Sequence, residues 1–319
     1  MRALSRHLLA ALTLTLAAAA VAQTWPDKPI RLIVNVGAGG APDVVARLYA
    51  PRLAEALGQS VVVENRAGAG GTIGVEAVAR ALPDGYTLLS SASSPFVIGP
   101  HLYKLGFDLT KDIIPVAPTA LTPMYLVVHP SVPVTSVAEF IRHARASPGK
   151  LSYGSAGGGT LPHVATEMFL RIAGGQALHV PFKGSGPALT ALLGGQIDFA
   201  FDPGVEIPQV KAGKVRLLAV GSASRSVGFP DVPTLREAGI DMTAVSIVGL
   251  YTTTGTRPDT VMRLNQALTR IMQTADFRAA LAMMAAEPIE ASPSGFAEML
   301  ARDRERYGTL VREANIQVD

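Results

Sequence analysis

Residues 30–57 read IRLIVNVGAGGAPDVVARLYAPRLAEAL, and this stretch decides the fold class. Residues 30–36 form an apolar run typical of a buried strand, and a glycine-rich loop follows at residues 37–41. Pro42 suits the first turn of a helix, after which apolar residues recur at three- and four-residue intervals as far as Leu57. A strand, a glycine turn and an amphipathic helix in this order indicate an α/β fold.

The same order occurs again at residues 151–173, which read LSYGSAGGGTLPHVATEMFLRIA. A strand is predicted over residues 151–154 and a helix over residues 162–173, with a second glycine-rich loop between them. Strand-like and helix-like segments alternate through the rest of the chain. This alternation predicts α/β units with largely parallel sheets.

The chain of 319 residues is long enough for two lobes, each with its own core. Residues 113–125 carry three prolines, so we expect a segment that crosses between lobes rather than one regular element. Residues 216–222 would cross back, leaving a hinged cleft of the kind where ligands bind. The predicted lobes are residues 23–123 with 223–319, and residues 124–222.

The beginning of the chain predicts export. Arg2 and Arg6 precede an apolar run at residues 8–20, and residues 20–22 are small, as at a signal peptidase site. The run is shorter than the roughly 20 residues that span a bilayer. We therefore expect residues 1–22 to be a cleaved signal peptide, with a periplasmic mature chain starting at Gln23.

Composition excludes several functions. Cysteine is absent, so disulfides, thiol catalysis and zinc–thiolate sites cannot form. The formal charge of +3 falls to about +1 without Arg2 and Arg6, and no basic cluster remains for nucleic acid. The histidines are scattered without metal-ligand spacing, and we expect no metal or other cofactor.

Each glycine-rich loop lies between a strand and a helix, so its N–H groups and the helix dipole would face an anion. Nucleotide binding is not indicated, because Pro42 occupies the third glycine position of a dinucleotide motif and no phosphate-loop sequence occurs. The glycines could serve only as tight turns. Their matching positions in two lobes favour instead two loops that hold one ligand.

Catalysis is less well supported. Ser155 and His163 could form a nucleophile and base, but no nucleophile elbow and no residue that orients the histidine are recognisable. Asp198 and Asp202 would lie about 13 Å apart on a strand, farther apart than the two carboxyl groups of a glycosidase.

Asp202 ends its predicted strand at the edge of the cleft, where it could accept hydrogen bonds from a ligand. Thr160 could both bind a ligand and cap its helix.

Segments along the chain resemble the tripartite tricarboxylate transporter receptor family, the periplasmic carboxylate-binding Bug proteins. They cover essentially the whole chain after the predicted signal peptide, and their order and spacing are specific. The matching segments are residues 25–30, 38–40 with Asp43 and 46–47, 64–66 with 68–71, 83–88, 100–103, 155–163, 180–185, 193–196 and 231–234.

This resemblance implies a two-lobed periplasmic binding protein of the type II, venus-flytrap class, in which loop amides hold a small organic carboxylate. It implies a protein that delivers this ligand to the membrane subunits of a tripartite tricarboxylate transporter. We expect a monomer, because no surface heptad or edge repeat indicates assembly. A periplasmic sensor for a carboxylate signalling system, and a periplasmic hydrolase, are the alternatives. By position, the implied ligand contacts are Ala38, Gly39, Gly40, Asp43, Ser155, Gly157, Gly159 and Thr160, with Ser93, Ser94 and Asp202 as further candidates.

The departures from the family pattern lie near the implied ligand. Asn35 and Val36 stand where a proline and an aromatic residue are usual, and Gly99 replaces a common asparagine. Residues 247–249 replace an aromatic–glycine motif. Fewer aromatic walls imply a ligand of different shape or size.

Overall fold

The computed structural model describes residues 25–314 and 316–318. The predicted signal peptide at residues 1–22 lies outside the described residues. Within the described ranges, no helix is both long enough and apolar enough to span a membrane.

The first lobe is built on a five-stranded sheet in the order β2-β1-β3-β10-β4. Strands β1, β2 and β3 are parallel, and β10 is antiparallel to both β3 and β4. The strands are β1 (Ile30–Val34), β2 (Val61–Asn65), β3 (Thr87–Ala92), β4 (Ile113–Pro123) and β10 (Val245–Thr253).

The second lobe repeats this plan in the order β7-β6-β8-β5-β9. Strands β6, β7 and β8 are parallel, and β5 is antiparallel to its neighbours β8 and β9. The strands are β5 (Tyr125–Val128), β6 (Leu151–Ser155), β7 (Ala177–Pro181), β8 (Phe199–Asp202) and β9 (Arg216–Val220).

Helices cover these sheets. Those between the strands of the first lobe are α1 (Ala41–Leu57), α2 (Thr72–Ala79), α3 (Ser94–Val97) and α4 (Gly99–Leu102). Those of the second lobe are α5 (Val137–Ala146), α6 (Leu161–Ala173), α7 (Ser185–Leu193) and α8 (Ile207–Lys211). The C-terminal helices are α9 (Pro258–Gln273), α10 (Ala275–Ala282) and α11 (Pro293–Ala314). The predicted two-lobed α/β fold is confirmed.

Strand β4 corrects the expectation that residues 113–125 contain no regular element. It is an eleven-residue strand that includes all three prolines. It lies at the edge of its sheet and pairs along its length with β10, with two register shifts, while Leu121 on its other side forms an isolated bridge with Glu287. An edge strand tolerates prolines because a missing N–H can face away from the ladder.

The two crossing segments touch each other where the lobes join. Met124, between β4 and β5, accepts a hydrogen bond from the Gly221 amide at 2.7 Å and donates to the Ala244 carbonyl at 2.9 Å. The Ala244 amide donates in turn to the Gly221 carbonyl at 2.8 Å. The crossings are therefore held to each other by backbone hydrogen bonds at one point, next to the cleft.

Residues between the second crossing and β10 run beside the second sheet. Thr234 forms a parallel bridge with Val220, and the Leu235 amide donates to the Val220 carbonyl at 3.0 Å. The lobe boundary at residue 222 stays a prediction, and these contacts favour a later one. Helix α11 contacts α3 and β4 in the first lobe and α6 in the second.

Candidate functional site

Two neighbouring cavities lie between the lobes, at the ends of strands β1 and β6. The smaller has a volume of about 40 Å³ and the larger about 350 Å³. Residues shared by both linings are Asn35, Val36, Gly70, Ala156 and Thr160. The two cavities therefore share part of their walls.

Three helix N-termini converge on the small cavity. Its lining includes the first residues of α1, α6 and α7: Gly40, Ala41, Pro42, Thr160, Leu161, Pro162 and Ser185. No side chain caps any of these three helices. The first N–H groups of a helix have no acceptor within it, and the helix dipole is positive at this end. The small cavity therefore faces the positive ends of three helix dipoles.

The side chains around the small cavity are uncharged and mostly apolar, with hydroxyl groups among them. Five hydroxyl residues line it: Ser94, Thr122, Thr160, Ser185 and Ser246. Within the described part of the chain, no Lys, Arg, His, Asp or Glu is among its lining residues. An anion there would be held by backbone amides, helix dipoles and hydroxyls rather than by a formal positive charge.

Asp43 braces the first glycine loop. Its buried carboxylate accepts hydrogen bonds from the Gly39 amide at 3.0 Å, from Arg47 Nε at 3.0 Å and from Asn65 Nδ2 at 2.8 Å. Burial raises the pKa of Asp43, but these hydrogen bonds outweigh burial and hold the pKa below its usual value. Asp43 therefore fixes the loop in front of α1 and lines neither cavity.

Two stacked histidines brace the second glycine loop. The Gly157 amide donates to Ser155 Oγ at 3.1 Å, and Ser155 Oγ lies 2.7 Å from His179 Nε2. The Gly159 amide donates to His163 Nδ1 at 3.1 Å. The rings of His163 and His179 are stacked with centroids 4.1 Å apart. This network holds the loop in place, and both histidines also line the large cavity.

The hydrogen bonds revise the pairing of Ser155 with His163 that the sequence suggested. Ser155 contacts His179, while His163 is 5% exposed and bonds to a glycine amide. Burial and, to a smaller extent, the neighbouring His179 lower the pKa of His163 to about 4. Sequence reasoning missed His179, because only the pairing of Tyr153 with His179 between β6 and β7 brings it beneath the loop.

The structure brings some of the predicted site residues to the cavities. Gly40, Ser94 and Thr160 line the small cavity, and Gly157 and Thr160 line the large one. The Thr160 hydroxyl donates to the Gly157 carbonyl at 2.7 Å and does not cap α6, so the capping role predicted for it is wrong.

Other predicted residues lie beside the cavities. Ala38 and Gly39 are exposed on the outer side of their loop. Ser93 is buried, and its Oγ accepts a hydrogen bond from the Ile247 amide at 3.3 Å. The amides of Gly39, Gly40, Gly157 and Gly159 are all engaged within the protein. Ligand contact by these residues stays a prediction.

Asp202 is buried behind Ser185, next to a second carboxyl group that sequence reasoning missed. Asp202 and Glu206 are 4% and 1% exposed, and neither lines the cavities. Burial raises the pKa of Asp202 to about 6, and burial together with the Asp202 charge raises the pKa of Glu206 well above its usual value. A proton on Glu206 can therefore join the two carboxyl groups by a hydrogen bond.

The lobes touch across the cleft. The Tyr103 hydroxyl of the first lobe donates to the Gly158 carbonyl of the second at 2.6 Å. A Cβ atom added to Gly37 would lie 2.6 Å from the Lys183 carbonyl oxygen, and one added to Gly70 would lie 2.9 Å from the Gly158 oxygen. Glycines at these positions permit the close approach of the two backbones.

Comparison with known proteins agrees with this architecture. The profile of the tripartite tricarboxylate transporter family receptor matches residues 45–316. Protein BugT of Bordetella pertussis is 36% identical over 311 residues, covering 96% of this chain and 95% of BugT.

Two solved structures are also similar over nearly their whole length. Periplasmic binding protein BugD is 31% identical with a TM-score of 0.88, covering 92% of this chain and 99% of BugD. Rpa4515 of R. palustris, solved with adipate, is 33% identical with a TM-score of 0.89 and the same coverage, 92% and 99%. These relatives are periplasmic solute receptors and not enzymes. Sequence and fold together show that the chain belongs to the tripartite tricarboxylate transporter receptor family.

Proposed function

We propose that the protein is an extracytoplasmic receptor that binds a small organic carboxylate between its lobes. The observation that carries this proposal is the convergence of the uncapped N-termini of α1, α6 and α7 on one small, uncharged cavity. Helix α1 belongs to one lobe, and α6 and α7 to the other. An anion bound there would join the two lobes.

The volumes suit a carboxylate group with a short chain. A cavity of about 40 Å³ exceeds the roughly 10–15 Å³ of such space that holds one water, and so has room for one small anionic group. The adjoining 350 Å³ cavity falls in the usual range for small-molecule sites and would take the remainder of the ligand. Lys183, Tyr103 and Gln317 line this second space and offer it polar contacts.

The first amides of the helices are the proposed donors to the carboxylate. The N–H of Ala41 opens α1 and that of Leu161 opens α6, and neither has a carbonyl one turn earlier in its helix. The engaged amides of the glycine loops hold these helix starts in position. Charge-assisted hydrogen bonds of this kind contribute roughly 1.5–3 kcal/mol each.

Delivery to a transporter completes the proposed function. Binding between the lobes would favour the closed form, and membrane subunits of a tripartite tricarboxylate transporter would recognise that form. The adipate-bound relative and the family supply the support for this class of ligand and partner. Export of a monomeric chain by the segment at residues 1–22 is part of the same proposal.

A thermal-shift screen of carboxylic acids on the chain from Gln23 onward tests the proposal. A ligand at 100 times its Kd should stabilise the fold by about 2.7 kcal/mol. Amides of the same acids, which lack the negative charge, should not stabilise it. If no carboxylate raises the melting temperature and calorimetry detects no binding, the proposed function is wrong.

Thr160→Val tests the site itself. We expect the change to weaken carboxylate binding by about tenfold, because among the described residues it removes the only side-chain hydroxyl that lines both cavities. Thr166→Val on the same helix is the matched control, since its hydroxyl also bonds a backbone carbonyl, that of Pro162, but lines neither cavity. Equal affinities of the two variants by calorimetry would contradict the proposed site.

A further inference from the structure

Asn35 holds an unpartnered acceptor at the centre of the cleft. It follows β1, is 2% exposed and lines both cavities. Its Nδ2 donates to the Gly71 carbonyl at 3.3 Å. Among the described residues, its Oδ1 is buried without a hydrogen-bond partner. A buried amide oxygen in this state has lost its hydrogen bonds to water without forming any within the protein.

The surroundings of Asn35 fix the orientation of its amide. Turning the amide over would bring Oδ1 against the Gly71 carbonyl, which is also an acceptor. The side chain is closely packed: a Cβ atom added to Gly71 would lie 2.4 Å from Nδ2, and one added to Gly74 would lie 2.7 Å from Asn35 Cβ. Asn35 therefore keeps an unsatisfied acceptor in a residue that lines both cavities.

The charges around the cavities decide which donor fits. A hydroxyl or an ammonium group could each donate to Asn35 Oδ1. An ammonium group also needs a negative counter-charge, because a buried unpaired charge is far more costly than a buried hydroxyl. Among the described residues, no Asp or Glu lines either cavity, and Lys183 lines the larger. The site therefore favours a neutral donor.

We infer that Asn35 determines specificity by selecting carboxylates that carry a hydroxyl group. The inference rests on the proposed function: with the carboxylate at the helix N-termini, a hydroxyl on the adjoining carbons would reach the residues shared by the two cavities. There it donates to Asn35 Oδ1. A carboxylate without the hydroxyl leaves this oxygen unsatisfied and binds more weakly.

Calorimetry with matched acids on the wild-type chain tests the inference. Pairs that differ by one hydroxyl, such as succinate with malate and glutarate with 2-hydroxyglutarate, measure the preference directly. We expect the hydroxy acid of at least one pair to bind about tenfold or more tightly than its partner. Aspartate, which carries an ammonium in place of the hydroxyl of malate, should bind more weakly than malate.

Asn35→Leu keeps the branched shape of the side chain and removes both its acceptor and its Nδ2 donor to the Gly71 carbonyl. In this variant the preference for the hydroxy acid should disappear while the plain carboxylate still binds. Equal binding of both members of every pair by the wild-type chain would overturn the inference and leave the proposed function standing, even if the variant does not fold. Retention of the preference in a folded variant would also overturn it. Failure of the wild-type chain to bind any carboxylate would overturn the proposed function.

Discussion

His163 shows how a single side chain sets the shape of the second glycine loop. Its Nδ1 must be unprotonated to accept the Gly159 N–H, and stacking on His179 in a buried place disfavours a positive charge. Its pKa of about 4 lies below the value of about 6.5 expected in the unfolded chain. Between these values the unfolded chain binds a proton that the folded chain does not.

This difference predicts a loss of stability on acidification. The contribution of His163 is fully present above about pH 6.5 and is lost as the pH falls towards 4, and it amounts to roughly 3 kcal/mol. His163→Asn, whose amide oxygen can accept the Gly159 N–H in place of Nδ1, should lose less stability than the wild-type chain between pH 7 and pH 4. Urea unfolding at both pH values measures the difference.

The companion variant His163→Leu tests the hydrogen-bond acceptor separately from the space that the side chain fills. It leaves the Gly159 amide buried without a partner, so the free energy of unfolding at pH 7 should fall by about 1–3 kcal/mol relative to His163→Asn. The same pH dependence in His163→Asn as in the wild-type chain would show that another group causes it.

At the scale of elements, the sequence predicted the strands, loops and helices that depend on residues close together in the chain. The two strand–glycine loop–helix units follow from apolar periodicity and from prolines early in α1 and α6. Contacts between distant segments could not be predicted in this way. Ser155 meets His179 only through the register of β6 and β7. Glu206 is different, because it lies four residues after Asp202 and this spacing is visible in the sequence.

The prediction for strand β4 failed because each proline was judged without the sheet around it. The three prolines argue against a regular strand when each is judged alone, yet β4 is an edge strand whose outer side carries one isolated bridge, that of Leu121 with Glu287. Prolines within an apolar run are a local sign of an edge strand, but the place of that strand in the sheet is a property of the assembled fold.

The acid pair at the end of β8 predicts a second pH dependence, of opposite sign. Burial raises the pKa of Glu206 in the folded chain, so its contribution to stability is greatest below about pH 4.5 and is lost as the pH rises. Glu206→Gln keeps a donor for Asp202 and cannot ionise. Its stability should therefore fall less than that of the wild-type chain between pH 5 and pH 9 in urea unfolding.

Glu55→Gln on the exposed side of α1 is the control, because it removes one negative charge from the surface. A larger fall in stability for Glu206→Gln than for the wild-type chain would contradict a shared proton.

Position alone suggested Asp202 as a ligand contact, whereas its burial with Glu206 favours a role in holding the start of α7 through Ser185.

At the scale of the whole molecule, closure depends on two places. The lobes are joined where Met124, Gly221 and Ala244 bond to one another, and a Cβ atom at Gly221 would lie 2.7 Å from the Ala244 oxygen. They meet again at the other side of the cleft, where Tyr103 bonds to Gly158. A ligand between these places would favour the closed form only through contacts that the open form lacks.

Tyr103→Phe isolates one such contact, since the hydroxyl joins the two lobes directly. Losing a hydrogen bond of about 1 kcal/mol should weaken binding about fivefold, mainly by raising the dissociation rate of the ligand. Tyr86→Phe is the matched control, because its hydroxyl bonds to Asp27 within the first lobe.

Tyr103 also lines the large cavity, so a direct contact with the ligand must be distinguished from closure. If Tyr103 acts through closure, stopped-flow and calorimetry should give the same factor for short and long carboxylates; a factor that changes with ligand length would assign Tyr103 to the ligand instead.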